Sequence, residues 1–210
     1  HVIGRVLAYK AGHHFVYAQF ALALQESHRA IGLLRTAGDL WELCNAMWVN
    51  QFANLAFGGL DEAAHVGQEL IPLATRLGQL GALSFAMHAR GYRELMLNGD
   101  IALFEELTKE DLELCRSAGL PGTSQTYSCL GLVAFWRGDW ETALRRFEEA
   151  VAIELPGALF GTDRPWIFLA TAYAGDKTGA LAALREKCRI LPAGGTWRQR
   201  ISLAIGLVRA

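Results

Sequence analysis

Two series of regularly spaced glycines constrain the fold of this chain more than any other feature of its sequence. Glycines of the first series follow apolar runs with helical spacing and are separated by 40, 41, 38 and 37 residues: Gly38, Gly78, Gly119, Gly157 and Gly194. Glycines of the second series lie between them, separated by 40, 39 and 37 residues: Gly59, Gly99, Gly138 and Gly175. Because glycine adopts the left-handed conformation that ends a helix at low cost, the two series predict two helices in each repeat.

The apolar residues between these glycines recur at helical spacing, and no segment shows the sustained alternation of a half-buried strand. An aspartate directly follows three glycines of the second series, at Asp100, Asp139 and Asp176. Its carboxylate is suited to accept hydrogen bonds from the open amides at the start of the next helix. The sequence therefore predicts an all-α protein in which antiparallel helix pairs are stacked in a row.

Composition argues against several classes of protein. The chain has 210 residues, of which 52% are hydrophobic and 20% charged, as in a globular domain. Its net charge is −1 and no cluster of basic residues stands out, so we do not expect nucleic-acid binding. No apolar stretch approaches the roughly 18–20 residues of a membrane span. The four cysteines show no close pairing, which favours buried reduced thiols and a cytoplasmic location.

The residue patterns of catalytic and metal sites are not found in this sequence. The histidines form no His-Glu-x-x-His motif and no cluster at zinc spacing, and the Gly-rich segment at residues 119–125 lacks the lysine of a phosphate-binding loop. No nucleophile–base arrangement is recognisable. We therefore predict a protein without metal, cofactor or catalytic residues.

The segment from Tyr127 to Val151, YSCLGLVAFWRGDWETALRRFEEAV, resembles the tetratricopeptide repeat, whose signature is W-x2-L-G-x2-Y followed by A-x3-F. Ala143 and Ala150 are small enough for neighbouring helices to approach closely, and Phe147 is placed to fill the gap between them. A second match begins at Trp166 in WIFLATAY. The resemblance is strong over residues 123–190. Over residues 40–120 it rests on the period, the caps and pieces such as GGLDEAA.

This resemblance implies a right-handed α–α superhelix of about four to five antiparallel helix pairs. We expect a single domain with repeats at 1–38, 39–78, 79–119, 120–157 and 158–194 and a partial one at 195–210, belonging to a longer protein. The period exceeds the usual 34 residues, as in helical tails of bacterial regulators that join an ATPase module to adenylate cyclase or DNA-binding modules. HEAT repeats share the longer period but do not require the Gly-Asp turn.

The resemblance also implies a non-catalytic binding module whose partner lies on a concave surface lined by the first helix of each pair. Candidate binding residues are the polar, cationic and aromatic side chains of first helices: His88, Arg90, Tyr92, Arg93, Gln125 and Trp136. Arginine offers a planar fork of donors suited to a partner carboxylate. If Arg93 lies in the groove, Arg93→Ala is expected to weaken binding and to leave the melting temperature nearly unchanged.

Several alternatives remain open at this stage. The partner is a protein or peptide of a bacterial signalling pathway, or the chain's own catalytic domains, in which any ATPase or cyclase activity would reside. A second hypothesis is a small-ligand sensor, because the array resembles the helical tails of maltose-activator-like regulators. The first and last helices also offer apolar faces on which a second copy could stack as a homodimer.

Overall fold

A computed structural model describes residues 2–17, 19–120, 123–153, 164–190 and 196–210. These residues form eleven α-helices and no strand, which confirms the predicted all-α class. The helices are α1 (Val2–Val16), α2 (Phe20–Ala37), α3 (Leu40–Ala56), α4 (Leu60–Leu77), α5 (Leu80–Asn98), α6 (Ile101–Ala118), α7 (Thr123–Trp136), α8 (Trp140–Ala152), α9 (Arg164–Tyr173), α10 (Lys177–Ile190) and α11 (Thr196–Arg209). None of them is both long and apolar enough to cross a membrane, within the residues described.

Glycines of the first series end the second helix of three pairs. Gly38, Gly78 and Gly119 follow α2, α4 and α6 with φ angles of 69°, 66° and 62°, in the left-handed region where a side chain is disfavoured. A helix therefore ends at each of these three glycines, as their spacing predicts. Helix α8 instead ends at Ala152 with Ile153 as its C-cap, before Gly157 is reached. Gly157 and Gly194 themselves lie outside the described residues.

Glycines of the second series follow the first helices as predicted, except that in one repeat the neighbouring glycine takes this role. Gly99, Gly138 and Gly175 have positive φ angles, as expected after a first helix. In the Gly58-Gly59 pair, however, Gly58 adopts the left-handed conformation with φ 76°, and Gly59 precedes α4 with φ −75°. Two consecutive glycines leave this choice undetermined in the sequence.

The aspartates that follow these glycines cap the next helix. The carboxylate of Asp100 accepts a hydrogen bond from the Leu103 amide at 2.9 Å, and that of Asp139 accepts one from the Thr142 amide at 3.1 Å. Asp176 accepts from the Gly179 amide at 2.8 Å. Each bond satisfies an amide that has no partner within its own helix, so the Gly-Asp turn is a local device for restarting the helix.

The described helices fall into two compact units, His1–Gly122 and Thr123–Ala210. Unit 1 contains the pairs α1/α2, α3/α4 and α5/α6, and unit 2 contains α7 to α11. The prediction that the repeats form a single domain stays a prediction.

In unit 1, each helix packs against the next one along the chain, and the first helices α1, α3 and α5 also pack side by side. The second helices α2, α4 and α6 have no comparable packing against one another within the described residues. The first helices of unit 1 therefore lie closer to one another than the second helices do. The buried core of Leu7, Leu34, Met47, Leu70 and Ala86 runs between the two layers.

Within two helix pairs, a glycine of the first helix lies against a buried aromatic ring of the second. A Cβ atom built on Gly91 of α5 would lie 2.8 Å from the ring of Phe104, and one built on Gly131 of α7 would lie 2.6 Å from the ring of Phe147. Both rings are fully buried. The glycine therefore allows the ring to occupy space that any other residue would need for its own side chain.

We expect Gly131→Ala to lower the free energy of unfolding by about 1–3 kcal/mol, because the added methyl group collides with Phe147. Gly206→Ala is the matched control: this glycine lies in α11, has open space around it, and should gain up to about 1 kcal/mol of helix propensity. Chemical denaturation followed by circular dichroism measures both effects. An equal gain in the two variants would show that the ring moves aside without cost.

Candidate protein-interaction site

The face of α3 that is directed away from the second helices can be identified from the face that is buried against them. Leu43 and Met47 lie in the core formed with α2 and α4, and Asn50 Nδ2 donates a hydrogen bond to Ser27 Oγ of α2 at 3.0 Å. One helix face therefore points to the second-helix layer. Residues on the opposite face follow a spacing of three or four: Trp41, Asn45, Trp48, Phe52 and Ala56.

The repeat places the same face of α5 forty residues later. Its positions are Gly81, Phe85, His88, Tyr92 and Met96. Aromatic residues predominate at these positions of α3 and α5, and Phe15 of α1 lies beside them. We name this set the aromatic face: Phe15, Trp41, Trp48, Phe52, Phe85 and Tyr92.

Four of these rings form a connected cluster across α1, α3 and α5. Trp48 and Phe85 are stacked, with ring centroids 4.2 Å apart and an interplanar angle of 15°. Phe15 lies 5.7 Å from Trp48 and 5.8 Å from Phe52, and Phe52 lies 6.1 Å from Phe85. All four are half-buried, and Trp41 at the start of α3 is 50% exposed. The cluster is held by its own ring contacts and still presents apolar area to solvent.

Charged side chains are missing from the α3 and α5 positions of this surface. None of the ten positions is Asp, Glu, Lys or Arg. The one amide among them, Asn45, donates to Glu42 Oε2 at 3.0 Å and accepts from Gln79 Nε2 at 2.9 Å. The surface can therefore make apolar and ring contacts, but it offers no ion pair.

His88 lies on this stripe by spacing, but it is buried against α6. Its Nε2 lies 3.2 Å from Asp111 Oδ2, and both side chains are almost inaccessible. Neither ring nitrogen makes a well-aligned hydrogen bond. Burial lowers the pKa of His88, and the nearby carboxylate of Asp111 opposes this only in part, so we assign the neutral imidazole at pH 7.

Two further polar groups complete this buried cluster. Cys115 Sγ lies 3.7 Å from Asp111 Oδ1, and Ser84 Oγ lies 3.4 Å from Cys115 Sγ. The residue types are those of a nucleophile with its base, but all four side chains are buried between α5 and α6. Their burial favours a role in holding this helix pair together.

Arg90, Tyr92 and Arg93 do not share a surface. Arg90 is exposed, but it precedes Tyr92 by two residues, a rotation of about 200°, so the two side chains leave α5 on opposite sides. Arg93 is 23% exposed and reaches the start of α4, where its Nε donates to the Leu60 carbonyl at 3.0 Å. Its Nη1 donates to Glu94 at 2.5 Å. Arg93 thus joins α5 to α4, while Tyr92, a position of the aromatic face by its spacing, is half-buried with its ring 5.0 Å from the Phe104 ring of α6.

Gln125 and Trp136 belong to α7 of unit 2. They are eleven residues apart, so they share one side of the helix at a distance of about 16 Å along its axis. Gln125 is half-buried, with Nε2 3.8 Å from Cys129 Sγ. Trp136 is 38% exposed and contacts the Trp166 ring edge to face at 6.1 Å.

The cysteines and the other possible ligands indicate no metal site. All four cysteines are free thiols, and burial raises the pKa of Cys44 to about 11, which keeps this thiol protonated at neutral pH. Among the residues that the structure describes, no group of three or more His, Cys, Asp or Glu side chains is placed to hold a metal ion.

Comparison with known proteins supports the fold. No family model and no curated protein matches the sequence. Among solved structures the chain is similar to "Crystal Structure of Rap Protein Complexed with Competence and Sporulation Factor", with a TM-score of 0.67 and 11% identity. The similarity covers 98% of this chain and 63% of the Rap chain. A likeness at this TM-score and identity concerns the fold alone, and it supports the predicted helical repeat fold.

The contacts of Arg93 change the effect on stability that we expect for its alanine variant. We now expect Arg93→Ala to lower the free energy of unfolding by about 1–2 kcal/mol, because it removes a charge-assisted hydrogen bond to the Leu60 carbonyl. Arg90→Ala, in the same helix but exposed, should stay within about 0.5 kcal/mol of wild type. Thermal unfolding of both variants decides the matter, and equal melting temperatures would rule out this role for Arg93.

Protonation of His88 should destabilise the fold in mildly acidic solution. The folded pKa lies below the usual 6.5, so the unfolded chain binds more protons as the pH falls below that value. We expect the free energy of unfolding to decrease from pH 7 to pH 5 by at most about 1.4 kcal/mol per pH unit from this one group. His88→Gln should flatten the profile, and His65→Gln, at an exposed position of α4, should leave it unchanged. An increase in stability toward pH 5 that depends on His88 would mean that the pair is ionised.

Proposed function

We propose that this chain is a non-catalytic protein-interaction or regulatory module and that the aromatic face of unit 1 is its binding surface. The observation that carries this proposal is the four-ring cluster, which is packed across three first helices and still half-exposed. Aromatic side chains with accessible area are enriched among the residues that dominate protein–protein binding energies. Because these rings are already held by one another, little side-chain freedom is lost when a partner binds.

The similar Rap structure supports the same class of function. Its title describes a complex with Competence and Sporulation Factor, so a protein of this fold binds a partner. We infer that the present chain has a protein or peptide partner too, which includes domains of its own parent protein. A role in bacterial signalling, membership of the tetratricopeptide family and a cytoplasmic location remain proposals that rest on this likeness and on the repeat signature.

The proposed mode of binding differs from a carboxylate clamp. The α3 and α5 stripes carry no charged side chain, and Arg93 is engaged with α4, so binding energy on this surface comes from apolar contact. Tyr92 remains part of the proposed site. Gln125 and Trp136 remain a prediction for a separate contact in unit 2.

A random peptide library displayed on phage, selected against the wild-type chain, tests this function. Selected peptides should bind Trp41→Glu at least about tenfold more weakly, because a carboxylate then replaces an exposed ring. The matched control is Leu33→Glu in the second helix α2, where the side chain is 43% exposed, and it should bind as wild type does. Circular dichroism confirms that both variants are folded.

The dependence of affinity on salt concentration distinguishes apolar contact from an arginine–carboxylate clamp. Affinity should change less than about twofold between 0.05 M and 0.5 M NaCl, because screening weakens ion pairs and leaves apolar contacts intact. A fall of about tenfold or more would support an arginine clamp in place of the aromatic face. Peptides that bind Trp41→Glu and wild type equally well would contradict the proposed surface.

A further inference from the structure

Helix α11 of unit 2 is apolar on two opposite sides. On one side, Ile201, Ala204 and Val208 are buried in a cluster with residues of α9 and α10. On the other side, Leu203 and Leu207 are 65% and 51% exposed. A helix at the surface of a globular protein is ordinarily polar on the side away from the core. The helices of unit 2 that the structure describes thus leave a second apolar side of α11 open.

The exposed side of α11 has a gap at its centre. Leu203, Gly206, Leu207 and Ala210 follow the i, i+3, i+4, i+7 spacing at which four residues enclose a hole on a helix surface. A Cβ atom built on Gly206 would meet no other atom within 4 Å. Ala210 continues the helical turn, since its amide donates to the Gly206 carbonyl at 3.2 Å. We name these four residues the α11 socket, and none of them has a charged side chain.

Elsewhere in the chain, glycines at equivalent places are covered by large apolar side chains. The segment AIGLV around Gly206 matches CLGLV around Gly131 of α7. The ring of Phe147 covers Gly131, and the ring of Phe104 covers Gly91 of α5 in the same way. Because a helical glycine with no atom over it forgoes these packing contacts, Gly206 calls for a large apolar side chain from another helix.

The leucines of α11 match this gap in a second copy of the chain. Two identical antiparallel helices related by a two-fold axis between Gly206 and Leu207 place these two residues opposite each other. The same axis places Leu203 opposite Ala210. A large side chain then faces a small one at each of the four positions, and no charge is brought against its own equivalent. The socket is therefore self-complementary, which favours a second copy over an unrelated protein.

We propose that the α11 socket is the interface of a symmetric homodimer, in which α11 packs antiparallel against α11 of a second copy. In the dimer, Leu207 of each copy lies over Gly206 of the other. This inference is independent of the proposed function, which depends on unit 1. With one helix from each copy, the interface is at the small end of specific interfaces, so we expect a dissociation constant of about 10 µM to 1 mM.

Analytical ultracentrifugation of the chain over a range of concentrations up to about 1 mM tests the dimer. Leu207→Glu should weaken dimerisation at least about tenfold, because a carboxylate would be buried against the second copy without a partner. Gly206→Leu should do the same, since it fills the gap without a clash inside its own copy. Leu33→Glu in α2 and Trp41→Glu in α3 should dimerise as wild type does. Circular dichroism confirms that each variant is folded.

Disulfide cross-linking tests the position of the two-fold axis. Gly206→Cys brings two thiols close to the axis, so mild oxidation by oxygen, which removes two electrons and two protons from the thiol pair, should link two copies. Gly32→Cys in α2, another open glycine position, is the matched control and should stay unlinked. Both variants carry Cys188→Ser, because the native thiol there is partly exposed.

Three results would overturn the proposal. The first is a wild-type chain that remains monomeric up to about 1 mM. The second is a dimer that forms equally well in Leu207→Glu and Gly206→Leu, because its interface then lies elsewhere. The third is a dimer in which Gly206→Cys does not cross-link, because the two copies of α11 are then not related by the stated axis. None of these results bears on binding at the aromatic face.

Discussion

The close approach of a glycine on the first helix to a phenylalanine ring on the second determines how two of the described helix pairs, α5/α6 and α7/α8, are packed. At Gly91 and Phe104, and again at Gly131 and Phe147, the ring occupies the space that a side chain on the first helix would fill. In the α5/α6 pair, the ring of Tyr92 also lies 5.0 Å from that of Phe104.

The aromatic face is formed by ring contacts among α1, α3 and α5 together with the disposition of charge around them. In unit 1, Arg93 connects α5 to the start of α4, and Glu42 binds Asn45 and Tyr9 at the start of α3. Charges near the face therefore stabilise the repeats. What remains on the stripes of α3 and α5 is apolar, preorganised by ring contacts and neutral, and these properties favour recognition by apolar side chains.

Equivalent repeat positions have diverged in chemistry. Trp48 and His88 are forty residues apart and occupy the same place in successive first helices. The indole remains half-exposed and stacks on Phe85, whereas the imidazole is buried against Asp111. The same backbone position thus supplies a surface ring in one repeat and a buried polar contact in the next. A repeat scaffold allows this because each position is stabilised mainly by its immediate neighbours.

The sequence alone was sufficient for the helices and most of their ends, because a left-handed glycine and an aspartate cap act over three or four residues. Among the described helix ends, the sequence did not determine the choice between Gly58 and Gly59, nor the end of α8 at Ile153. The sequence was less informative about the candidate site. His88, Arg90 and Tyr92 are close in sequence, but each residue turns the helix by about 100°. His88 and Tyr92 contact Asp111 and Phe104 of α6, whereas Arg90 is exposed. The spacing of Trp41, Trp48 and Phe52 carried a signal for that face that was not used.

The period, the all-α class and the neutrality of the stripes are properties of the sequence itself, because they depend on residue type and spacing. Which stripe is left exposed was decided only by the tertiary structure. The packing of α3 against α1, α2, α4 and α5 buries one side of the helix and leaves another open, and this depends on residues far away along the chain. Phe15, Trp48, Phe52 and Phe85 meet for the same reason, since no single helix shows which neighbours will lie beside it.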